Sequence, residues 1–123
     1  MSDTRSRYGV LLGIAAAVGA FGAAAMMAAA TAPIARADDF AIITNANELF
    51  CSIGMSIKRR SPFKHTMTVE QTNGAHGYVP TAKAFAGGSY ETWFGEHSYL
   101  STQAGEIIER ESLDVLNRLK RAP

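Results

Sequence analysis

A single cysteine, Cys51, is the whole thiol complement of this 123-residue chain, so no intramolecular disulfide can stabilise it. Small exported domains often depend on such bridges, and without them a core of this size supports a net stability of only a few kcal/mol, roughly 3–5. With no His or Cys at a supporting spacing, Cys51 is expected as a small buried side chain on a helix. An excess of charge of one sign is also missing, since 12 Lys and Arg stand against 11 Asp and Glu. There is no basic stripe to follow a phosphate backbone, which excludes nucleic acid as a partner. The one basic cluster, Lys58-Arg59-Arg60, suits the solvated last turn of a helix, where cations oppose the negative end of the dipole. Internal repeats are absent, as are low-complexity tracts after residue 37, and this excludes a solenoid. His65, His76 and His97 make neither an H-x-H nor an H-x-x-x-H pair, and no G-x-S-x-G elbow occurs. Nothing in the sequence marks Ser61, Ser89 or Ser98 as an activated nucleophile.

The first third of the chain is a sorting signal by its pattern. Arg5 and Arg7 precede a run from Tyr8 to Ala35 without a charged residue, and Ala35-Arg36-Ala37 then forms an A-x-A cleavage pattern ahead of Asp38-Asp39. Residues 1–37 are therefore expected as a signal peptide cut after Ala37, which makes the product secreted. The apolar run exceeds the usual signal core, so the competing reading retains residues 8–30 as a membrane anchor that holds the rest outside the cytoplasm. Residues 38–123 form the second unit, with nine Lys and Arg against ten Asp and Glu.

In that unit Phe40 to Thr44 reads as a buried strand. Asn45 offers a helix cap, and Glu48 three residues on imitates a capping box. Leu49, Phe50, Ile53 and Ile57 recur at helical spacing, and Pro62 stops the helix near Arg60 by pushing Ser61 out of the α region. Thr66 to Thr72 alternates as a half-buried strand, and the Asn73-Gly74 turn after it allows a hairpin, but Ala75 to Val79, with a second Gly, reads as a loop or short strand. Pro80-Thr81 leads into a short helix over 82–86 that Gly87-Gly88 ends. Ser89 to Phe94 reads as a strand and Gly95 to Leu100 as a loop. A last helix spans Gln103 to Lys120, with Ala104, Ile107, Ile108, Val115 and Leu119 on one face. The order β-α-β-(β)-α-β-α gives an α/β or α+β class, and its narrow sheet reads as part of a larger α/β sandwich.

Three segments carry a resemblance: AIITNANELF (41–50), SIKRRSPFKHT (56–66) and above all NGAHGYVPTAKAFAGGSYE (73–91). Over about residues 40 to 120 the chain resembles the C-terminal part of the catalytic domain of neutral/alkaline, non-lysosomal ceramidases and their bacterial relatives, which are zinc amidohydrolases. The resemblance implies a zinc-ligand position at Glu48, within Asn-Glu-Leu-Phe; read from the residues alone, Glu48 is a helix-cap carboxylate. It also implies a tyrosine ligand at the position held here by Ala75, and a methyl group cannot coordinate zinc. His76 is adjacent, but in an extended segment it points to the opposite face. Tyr78 matches a second aromatic of the motif and reads as packing. The two histidine ligands and the serine of such a site lie upstream in the family and have no counterpart here. The other matches, Arg59 to Phe63 and Gly88 to Glu91, read as structural, with Glu91 free to pair with a base. Trp93, near Phe94, reads as a core or loop anchor, with a lipid-facing rim as the other reading.

Two expectations follow. One is an exported partial zinc amidohydrolase, without its own nucleophile and with zinc not predicted as bound, completed by a missing-half polypeptide. The other is a small secreted or membrane-anchored module that binds a lipid or a protein.

Overall fold

The computed structural model describes residues 33–122, so the charge-free run through residue 32, and with it the anchor read at 8–30, lies outside the described residues. Among the described residues no helix is long and apolar enough to cross a membrane. Strands β1 (Pro33–Ala37), β2 (Phe40–Thr44), β3 (Glu48–Leu49), β4 (His65–Val69) and β5 (Tyr78–Val79) alternate with helices α1 (Cys51–Arg60), α2 (Ala82–Gly87) and α3 (Ala104–Arg121). A short 3₁₀ turn at Tyr90–Thr92 precedes α3. The class is mixed α/β, as the alternation of strand and helix patterns requires.

The framework is a β-α-β unit. β2 and β4 run parallel, with Phe40 opposite His65 and Thr44 opposite Val69. Parallel neighbours cannot be joined by a tight turn, and α1 supplies the crossover. β1 closes the other side of β2 as an antiparallel hairpin, giving the order β1-β2-β4. Residues 33–37, placed in the leader by the sequence pattern, thus form an edge strand of this sheet.

Helices α1 and α3 pack on one another and on one face of the sheet. Ala41 and Ile43 of β2, Ile53 and Ile57 of α1, and Ala104, Ile108 and Leu116 of α3 share the core with Leu49, Phe63, Val79 and Leu100. Gly105 lets α3 approach α1 closely, because a Cβ there would lie 2.8 Å from Ile53 Cδ1. Across the same interface Ser56 Oγ donates to Glu109 Oε1 at 2.6 Å, and the Arg60 guanidinium donates to the same oxygen. On the other face, Ile42 and Met67 are paired in register, and Met67 is 49% exposed. Helices therefore cover one side of this sheet among the described residues.

Four expectations change. Asn45 does not cap a helix: its Oδ1 accepts from Asn47 N at 2.8 Å, a local turn that interrupts the strand. The chain then pairs again as β3, so Glu48 and Leu49 are strand residues, and α1 begins at Cys51 with no side-chain cap at Phe50. Cys51 is exposed, because Cys51 and Ser52 face solvent while Ile53, Gly54 and Ile57 face inward. The hairpin that Asn73-Gly74 allowed is not made, and the short strand read before Pro80 is β5, which pairs in parallel with β3 rather than with β4. Within Ser89 to Phe94 the chain forms a 3₁₀ turn at Tyr90–Thr92 in place of a strand, and Thr92 Oγ1 donates to Ser89 O at 2.7 Å. Other boundaries agree with the sequence reading. α1 ends at Arg60 with Ser61 extended, α2 starts behind a Thr81 cap that accepts from Ala84 N, and Gly88 (φ 76°) ends α2 in the left-handed region.

Ile57 is 1% exposed at the contact of α1 with the rest of the core. Replacement by Ala is expected to cost about 2–5 kcal/mol. Urea unfolding followed by circular dichroism should show a lower midpoint at unchanged slope.

Candidate functional site

The site forms where the second, smaller sheet opens. After the turn at Asn45–Asn47, Glu48 N donates to Gly77 O at 3.1 Å and Phe50 N to Val79 O at 3.2 Å, which sets Glu48 opposite Tyr78. Residues paired across a ladder project to the same face, so the carboxylate and the phenol lie side by side. Gly77 makes this register possible. It holds φ 81°, and its α-carbon faces the His97 carbonyl so closely that no side chain would fit. Tyr78 N donates to that carbonyl at 2.8 Å, which ties β5 to the loop after the 3₁₀ turn.

That loop adds three more rings. Tyr90 meets Tyr78 edge-on at 5.8 Å between centroids, His97 meets Tyr90 edge-on at 5.6 Å, and Trp93 lies 6.0 Å from His97. A hydrogen bond to Tyr90, followed by the negative charge of Glu48, pushes the Tyr78 hydroxyl up to about 12. Glu70 is near enough to feel the charge of Glu48. Burial raises its carboxyl above the usual range, a hydrogen bond from the Leu49 backbone opposes this, and the charge of Glu48 adds to the rise. Glu91 is held below the ordinary value by a hydrogen bond with Ser89 first, and more weakly by His97.

The aromatic and acidic lobe is largely open to solvent. Trp93 is 55% exposed, Phe94 73%, Tyr99 55% and Tyr90 47%. Of the residues singled out in the sequence, Glu48 and Tyr78 come together, whereas Ala75 and His76 lie exposed in the loop before β5. His65 starts β4, in the main sheet. His97 completed the cluster unannounced, and Tyr90, expected as buried aromatic area, joins it 47% exposed. Their signal was the spacing Tyr90, Trp93, His97, which only a turn can bring together and a strand reading hides.

The donor set does not fit a catalytic zinc. Such a site needs three protein ligands and an open position. Among the described residues no three His, Cys, Asp or Glu side chains are grouped to hold a metal ion. Of the resembled ligands Glu48 alone is present, with Ala75 at the tyrosine position. No family model, curated protein or solved structure matches the chain.

Tyr78 supplies a direct check on this geometry. Its folded value lies above the ordinary 10.0, so the stabilising protonated phenol is fully present below about pH 10 and is lost as pH rises toward about 12. Phenolate absorbance should show one tyrosine titrating late. Tyr90→Phe and Glu48→Gln should each move it down, and a late titration unchanged in both variants would separate Tyr78 from these partners.

Proposed function

We propose that the chain is an exported, partial relative of ceramidase-type zinc amidohydrolases, which contributes Glu48 and its surroundings to a site completed by another polypeptide. The observation that carries this reading is the placement of Glu48. Its carboxylate is half-buried on β3, beside the Tyr78 hydroxyl and next to the loop bearing Ala75. It is one oxygen donor in an ordered setting, without the companions that amide hydrolysis needs. The half-exposed Met67 agrees with this, because it lies on the face of the sheet that no helix covers among the described residues. A missing half that covers this face and brings two histidines and a serine would supply what the chain lacks. The resemblance over residues 40 to 120 names the chemistry: hydrolysis of an N-acyl amide of a sphingoid base.

A second reading is favoured by one observation. Trp93 and Phe94 are 55% and 73% exposed at the rim of the site, a placement that suits a lipid- or protein-binding module.

The test uses the intact chain and a fluorogenic N-acyl sphingosine. The chain alone is expected to release no product with or without zinc. A polypeptide carrying the two histidines and the serine should restore hydrolysis, and Glu48→Gln should abolish it. Turnover by the chain alone, or a restored activity indifferent to Glu48→Gln, would sink the first reading. Trp93 is the only tryptophan, so its fluorescence reports the rim directly. A blue shift on adding phosphatidylcholine vesicles would favour the second.

A further inference from the structure

The Ala-Arg-Ala pattern that marks the end of the leader does not lie in a free linker. Ala35 pairs with Ile42, Arg36 with Ala41 and Ala37 with Phe40, so the pattern forms the outer strand of the hairpin. The Ala37–Asp38 bond leads directly into the reversal, where Asp38 adopts φ 36°. Asp38 and Asp39 are the whole turn.

That turn is fastened from two sides. His65 N, at the start of β4, donates to Asp39 O at 2.9 Å. Lys120, in the last turn of α3, donates from Nζ to Asp38 O at 3.2 Å and to Asp39 Oδ1 at 2.9 Å. The same ammonium lies 4.8 Å from the centroid of the buried Phe63 ring, which fixes its position. The lysine also holds the Asp39 carboxyl below its usual range. The C-terminal helix thus clamps the peptide next to the bond that a leader peptidase would cut.

We propose that Ala37–Asp38 is a processing site masked by the fold, open to a signal peptidase only until α3 docks and Lys120 closes on the turn. Peptidases take their substrate as an extended strand in a cleft. Here the residues before the bond are already paired to β2, and the residues after it turn back. Hydrolysis adds water across the amide, leaving a carboxylate on Ala37 and an ammonium on Asp38. Cleavage before folding yields a chain that starts at Asp38 and lacks β1. Folding first preserves β1 and everything ahead of it. The order of two events therefore decides between the secreted and the tethered product. This inference rests on the export reading above.

The experiment treats full-length chain in detergent micelles with purified signal peptidase and follows intact mass. Three forms are compared: the folded wild type, Leu116→Asp, which places a charge at a fully buried core position and unfolds the domain without touching residues 30–45, and Lys120→Met. Cleavage of a masked bond follows the population of the open form, so the folded wild type should be cut at least about tenfold more slowly than Leu116→Asp. Folded Lys120→Met, checked by circular dichroism, should be cut about two- to fivefold faster than wild type, and Arg121→Met should not differ from wild type. Equal rates for folded wild type and Leu116→Asp would overturn the masking and leave the export reading intact. Failure of Leu116→Asp to yield a product starting at Asp38 would overturn both. A Lys120→Met rate equal to that of wild type would remove the clamp from the proposal and overturn it in this form.

Discussion

The parallel register of Phe40–Thr44 against His65–Val69 governs the rest of the molecule. Parallel pairing demands a crossover, which puts α1 on one face and lets α3 pack beside it. The same register brings His65 N to Asp39 O and so anchors the β1–β2 turn at one end of the ladder. At the other end, Asn45 N donates to Val69 O and Thr72 N to Asn45 O, which carry the chain past the turn at Asn45–Asn47. Pairing then resumes as Glu48 with Tyr78. The Asp38–Asp39 turn thus lies at one end of this ladder, and the candidate site lies beyond the other end, on the separate β3–β5 sheet.

The Asn45–Asn47 turn is the costly part of this arrangement. Asn45 is 3% exposed and Asn47 0%, and Asn45 Oδ1 accepts both the backbone N and the side-chain Nδ2 of Asn47. Asn45 Nδ2 is buried without a protein partner. Burying an amide donor in this way costs about 1–3 kcal/mol. What it secures is a change of direction between β2 and β3, which carries Glu48 away from the main sheet and toward the lobe of Tyr90 and His97. Sequence-level rules for stability fail here, at the residues that aim the only resembled ligand.

Much of the framework was legible because it rests on strong local signals. Ile53 and Ile57 at helical spacing, Pro62 after the helix, Thr81 before α2 and Gly88 after it all act through adjacent residues. The errors at Asn45 and Glu48 have one cause, which is that long-range pairing overrode a local preference. Asn45 and Glu48 do have the spacing of a capping box, but Gly77 and Val79 offer backbone acceptors that draw Glu48 and Phe50 into a strand. Cys51 belongs to an apolar residue class, yet the helix beginning at that point turns it outward. Leu116, with 0% exposure, was passed over for Val115 and Leu119, because a helix face shifts by a residue with the angle of packing. The Tyr78–Tyr90–His97 cluster joins residues far apart in sequence, and no single periodicity encodes it. Glu48 was reached through the resemblance to a family motif; the cap geometry that also drew attention to it is not the geometry it has.

The candidate site and the proposed processing site bear on one another through the edge of β2. With β1 in place, β2 is an interior strand, and its backbone groups are paired on both sides. A chain that begins at Asp38 has lost that neighbour, so β2 becomes an open edge with unpaired N–H and C=O groups while the face around Ile42 and Met67 is also uncovered. Such an edge accepts an extended strand from another polypeptide through main-chain hydrogen bonds, whatever that strand's side chains. The reading of Glu48 calls for a second polypeptide to complete the chemistry, and processing at Ala37 would create a place for one to attach. β1 would then act as a temporary occupant of the edge, keeping it from aggregation until the leader is removed. The same strand that hinders late cleavage would protect a chain that escapes it, and this gives the hairpin a role in both products.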